Sequence, residues 1–248
     1  MEESAYILSL AAGTFYLVAS LRLIRLSRRN GERPELLLGL YFALSGLYYL
    51  VYNLPSLLGI DAWAAPIEIT IEWIYVVGVL PYLFFIRSVF RPDDAWAGRV
   101  VVVTSVFLLL GMLMQTARGR MDLGIDDPLF LTEWVGYTTP CVWMCLEATR
   151  YRRSAMKRVR IGVCPPEVAN RYLLLTLFGG FQVLACLADL YWAHDRNVSK
   201  SISMVSDALL GGTEIASVAL LWLAFFPPLF YTNWVTRRAV IVPTPMDE

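Results

Sequence analysis

Apolar residues fall into seven long runs separated by short polar, arginine-rich or proline-containing stretches, and the runs predict seven helices. Their expected limits are Ser4–Ile24, Leu36–Leu58, Pro66–Ile86, Arg99–Gln115, Phe130–Thr149, Tyr172–Trp192 and Ile202–Phe226. Each is close to the roughly 20 residues that carry an α-helix across a bilayer. A chain without water to bond its peptide groups has no other way to cross at this length. The expected fold is an all-α integral membrane protein, a single seven-helix bundle over residues 1–248 with a short interfacial tail from residue 227. The fourth run is the shortest and predicts a lipid-facing or subunit-facing helix.

Charge orients the bundle. Of the 21 lysines and arginines, all but Arg118, Arg120, Arg196 and Lys200 fall on one side of the seven runs. Basic residues stay cytoplasmic, so the N-terminus is expected outside and the C-terminus inside. A plasma membrane or bacterial inner membrane is the expected compartment. Composition agrees: 57% of the 248 residues are apolar and only 17% charged, against about 25% in soluble domains. The basic stretches read as topology signals and not as a nucleic-acid surface. With no positively charged stretch or small-residue cleavage site before the first run, no removable signal peptide is expected.

The polar residues inside the runs carry the candidate chemistry. The third run places Glu68, Glu72 and Tyr75 on one helix face, the sixth Gln182, Cys186 and Asp189, and the seventh Asp207, Gly211 and Glu214. An ionisable side chain inside a membrane segment is a functional-site hypothesis by default. At about 1.5 Å per residue, Glu214 and Gln182 should lie at nearly the same depth. With no lysine or arginine in either span, Glu214 is expected either uncharged and hydrogen-bonded to Gln182 or a hydroxyl, or neutralised by a bound cation. Glu72, Tyr75, Gln182, Asp189, Asp207 and Glu214 therefore form the expected ligand site in the outer half of the bundle. Interhelical hydrogen bonding is the plainer role for the same groups.

Other features give less. Asp122, Asp126 and Glu133 occupy the first, fifth and twelfth places of a calcium loop, but Gly124 and Asp127 stand where a ligand and a glycine are required; a solvated loop is expected. Glu147 is expected to pair locally with Arg150. The long connection after the fifth run holds Arg150, Arg152, Arg153, Lys157, Arg158 and Arg160, the expected docking surface for a cytoplasmic partner or anionic lipid. The pairs Gly179-Gly180 and Gly211-Gly212 are expected at close helix crossings. The four cysteines read as packing thiols, and Asn197-Val198-Ser199 is an isolated glycosylation sequon. One histidine, His194, and no nucleophile or phosphate-loop motif leave soluble-type catalysis and a zinc hydrolase unsupported.

Seven helices with the N-terminus outside, Glu72-Trp73 on the third and Asp207 on the seventh resemble the microbial rhodopsins. That resemblance implies a retinal lysine four residues after Asp207, where this chain has Gly211, so no covalent retinal is expected. Pro66-Ile67-Glu68 is similar to the start of the proline-x-glutamate motif of membrane lycopene cyclases, which implies a polyene substrate; Ile69 replaces the motif's second acid. No cofactor or metal is expected. The favoured reading is a sensor or receptor-like protein for a small cationic, protonatable or lipophilic ligand. Its alternatives are a proton- or cation-coupled transporter, a polyene enzyme, and a structural membrane subunit that could form homo-oligomers.

Overall fold

The computed structural model describes residues 2–52, 64–119, 125–194 and 200–240; the side chains of 2–6, 8–9, 64–65, 68, 192–194, 200–210 and 238–240 are outside that description. Among the described residues there are eight helices: α1 (Glu2–Asn30), α2 (Arg33–Tyr52), α3 (Ala64–Phe90), α4 (Ala95–Arg118), α5 (Pro128–Arg160), α6 (Pro166–His194), α7 (Lys200–Phe225) and α8 (Leu229–Val240). Each helix from α1 to α6 packs on the next along the chain, α3 also reaches α5, α6 also meets α8, and α7 returns to α1 to close the ring. Five helices are long and apolar enough to cross a membrane, and a sixth span arises if the α7–α8 pair, bent by 78°, counts as one. This is the build of a helical integral membrane protein.

Helix ends differ from the apolar runs in instructive ways. The fourth helix covers 24 residues, Ala95–Arg118, or about 36 Å at the standard rise, so the run that looked shortest exceeds a hydrocarbon core of about 30 Å. It packs at the edge, against α3 and α5, and turns Val102, Val106, Phe107, Leu110 and Leu113 outward, as a lipid-facing helix should. Conversely α5, whose run is broken by Tyr137, Thr138, Thr139 and Pro140, is not among the helices that meet the spanning criterion. Its 33 residues continue through Arg160.

The long basic connection expected after the fifth run is therefore a helical extension. Arg150, Arg152, Arg153, Lys157, Arg158 and Arg160 all sit on α5, and the connection shrinks to residues 161–165. Arginine and lysine are good helix formers, so nothing in the segment stops the helix. Gly162, at φ 72°, ends it. Gly31, at φ 73°, makes the α1–α2 turn in the same way, its N–H bonding the Ser27 carbonyl at 2.7 Å. The α8 helix turns sharply away after Pro227-Pro228, with Leu229 and Phe230 82% and 75% exposed and Tyr231 stacked on Trp234.

Two local expectations change. Glu147 does not pair with Arg150; it accepts two hydrogen bonds from Arg91, at 2.8 and 3.1 Å, across the bundle. These bonds hold the Arg91 guanidinium above its ordinary pKa. Arg91 also reaches Asp94 at 3.1 Å. The acids of the α4–α5 loop likewise have separate tasks. Asp127 caps α5 by accepting from the Leu129 N–H and pairs with Arg118, while Glu133 lies inside α5 against Gly111. No group of three metal-ligating side chains occurs among the described residues.

Candidate polar site in the helix core

Glu214 lies in the middle of α7, where that helix faces α6 on one side and α1 on the other. Its Oε2 accepts a hydrogen bond from the Tyr16 hydroxyl of α1 at 2.5 Å and one from Gln182 Nε2 of α6 at 3.4 Å. Tyr49 of α2, stacked on Tyr16 with ring centroids 5.8 Å apart, is hydrogen-bonded to the same carboxyl. Three helices besides its own thus converge on one side chain. Among the described residues no lysine or arginine forms an ion pair with it.

Tyrosine rings continue from this point. Tyr49 meets Tyr48 edge-on at 5.3 Å, Tyr48 meets Tyr75 at 5.0 Å, and Tyr75 meets Tyr137 at 4.6 Å. Glu72 and Asp189 act electrostatically on both Tyr48 and Tyr137, and Glu214 acts on Tyr48 as well. Asp189 itself is exposed, and Tyr82 and Ser217 place fully buried hydroxyls with no protein partner in the core below.

Of the residues expected at the site, Gln182 and Glu214 are in direct contact, Tyr75 is part of the ring network, and Glu72 and Asp189 lie within electrostatic reach of its Tyr48 and Tyr137. The side chains of Asp207 and Glu68 lie outside the described residues, as do Asn197-Val198-Ser199 and Asp122. Cys186 accepts the Trp134 indole N–H on its carbonyl at 2.7 Å, and its thiol is within hydrogen-bonding range of Cys141. The cysteines form no disulfide among the described residues.

Tyr16 was not foreseen. Its signal in the sequence is the small-residue face it belongs to: Gly13, Tyr16 and Ser20 share one side of α1. A Cβ on Gly13 would meet the Tyr49 Cβ at 3.0 Å, and one on Gly46 would meet the Gly13 carbonyl oxygen at 2.9 Å. The α1–α2 crossing is thus tight enough to press Tyr16 into the core beside Tyr49. No protein-family model matches the chain, and neither a curated protein nor a solved structure is detectably similar to it.

Proposed function

We propose that the chain is a seven-helix receptor-like membrane protein, N-terminus outside and C-terminus cytoplasmic, that binds a small cationic or protonatable ligand beside Glu214. The observation that carries this reading is a carboxyl held in the bundle core by neutral donors from three neighbouring helices. Such a group gains most from a guest that brings positive charge or a proton. The tyrosine faces running from Tyr49 to Tyr137 suit the apolar or cationic part of that guest, since aromatic faces attract cations. The guest would enter past Glu72 and Asp189 in the outer half.

Transmission follows from the same geometry. α5 carries Tyr137 at the ring network and Arg150–Arg160 at its other end, in one helix of 33 residues. A shift of Tyr137 on ligand binding would move the basic extension where a cytoplasmic partner docks. A ligand changes this equilibrium only through its different affinity for the two arrangements.

The test is native mass spectrometry of the detergent-purified protein, wild type against Glu214→Gln and Tyr16→Phe. A co-purifying small molecule is expected in the wild type and absent from Glu214→Gln. Tyr16→Phe should weaken its retention about tenfold, since a hydrogen bond to a charged group contributes roughly 1.5–3 kcal/mol. Identical spectra for wild type and Glu214→Gln would make the carboxyl a helix-packing group only.

A further inference from the structure

Outward from the core, α1 presents one continuous stripe to the surroundings. Phe15, Val18, Arg22, Arg25 and Arg29 recur at three- and four-residue intervals on a single face, and all five are exposed. The stripe is apolar over its first half and basic over its second. Beside it, α7 carries Ile215, Ala219 and Trp222 on one face, with Phe226 just past its end; the Phe15 and Trp222 ring centroids are 5.3 Å apart and those of Trp222 and Phe226 5.2 Å apart.

Arg22 closes this seam at the arginine-rich end. Its guanidinium carbon lies 4.6 Å above the Trp222 ring and 5.8 Å from the Phe226 ring. Stacking fixes the planar guanidinium while leaving its N–H edges available. Among the described residues no acid forms an ion pair with it. Arg171 of α6, 5.9 Å from the Phe225 ring at the end of α7, differs, because Glu35 lies within its electrostatic reach.

We propose that the α1–α7 seam is a binding site for one anionic phospholipid, its phosphate held by Arg22 with help from Arg25 and its acyl chain lying along Phe15, Val18, Ile215 and Ala219. A phosphate diester offers two oxygens to a guanidinium edge, and an oriented Arg recognises that pair better than a mobile one. An exposed apolar stripe that ends in an arginine held over two aromatic rings, with no ion pair among the described residues, matches the two halves of a phospholipid in order. The inference rests on the membrane-spanning character of the chain and not on the ligand reading of Glu214.

Full-length protein exchanged into mixed dioleoylphosphatidylglycerol and dioleoylphosphatidylcholine, then examined by native mass spectrometry, tests it. One phosphatidylglycerol should persist per chain while phosphatidylcholine is lost. Retention should drop about tenfold in Arg22→Gln, the scale of one charge-assisted contact, and stay at the wild-type level in Arg28→Gln, which removes the same charge from another face of α1. Should Arg22→Gln fail to fold, Arg22→Lys keeps the charge without the planar stack and is expected to fall between. Equal retention of the two lipids, equal loss in Arg22→Gln and Arg28→Gln, or wild-type retention in Arg22→Lys would overturn the site. Loss of the lipid in Arg22→Gln should leave the species lost in Glu214→Gln in place, which separates the two readings.

Discussion

Glu147→Ala is expected to destabilise the protein by about 3 kcal/mol, because it strands Arg91 in the bundle without its main partner. The Glu147 side chain is 8% exposed and that of Arg91 19%, so both are largely withdrawn from solvent. Their contact is bidentate and joins the α3–α4 turn to the middle of α5, two places 56 residues apart. Removing one member of a buried pair costs roughly 3–5 kcal/mol. The lower end applies here because Asp94 remains beside Arg91 and part of the guanidinium reaches solvent. The surroundings make escape difficult. Arg91 lies 5.6 Å from the Trp96 ring, Trp96 packs on Trp143, and the Tyr151 hydroxyl binds the Phe90 carbonyl at 2.9 Å just before the turn.

Replacing both partners by apolar residues of similar size, Arg91→Met with Glu147→Leu, should recover much of that loss, since neither charge is then left buried. Reversible unfolding in detergent, followed by circular dichroism through a double-mutant cycle, measures the coupling. A loss below about 0.5 kcal/mol for Glu147→Ala would place the pair with surface ion pairs and remove it as a fastener of the bundle.

The ion pair also shows what the sequence withholds. Glu147 has Arg150 three residues away, and helical spacing favours that partner; the true one is on another helix, at a distance that no local rule reaches. Gln182 and Glu214 were legible for the opposite reason. Two antiparallel helices, each counted from the same membrane face, bring residues at equal depth level with each other, and only their facing had to be assumed. Tyr16 had no such depth partner to single it out among the chain's 13 tyrosines. Helix ends were misjudged in a consistent direction. Apolar runs report where a segment leaves the hydrocarbon, whereas the helix stops only when the backbone turns, at Gly31 and Gly162. The extension of α1 to Asn30 and of α5 to Arg160 both follow from that difference.

Paired glycines provide the sharpest contrast, since the sequence presents Gly179 and Gly180 as equivalent. A Cβ on Gly179 would lie 2.8 Å from the Cys145 nitrogen and 3.0 Å from its Cα, whereas one on Gly180 meets nothing within 4 Å. The obstacle at Gly179 is backbone, which cannot rotate aside as a side chain can. Gly179→Ala must therefore push α6 off α5, at a cost of about 1–3 kcal/mol typical of overpacking. Gly180→Ala meets no such obstacle and exchanges a poor helix former for the best one, so a gain of roughly 0.5–1 kcal/mol is expected. Gly212→Ala, equally open, should behave like Gly180→Ala. Because Gly179 lies one turn from Gln182, the displaced helix should also carry the Gln182 amide away from Glu214, a contact already long at 3.4 Å. Unfolding midpoints for the three alanine variants in one detergent decide the matter: opposite signs at 179 and 180 support the close crossing, and equal shifts would mean that α5 and α6 are not in backbone contact there.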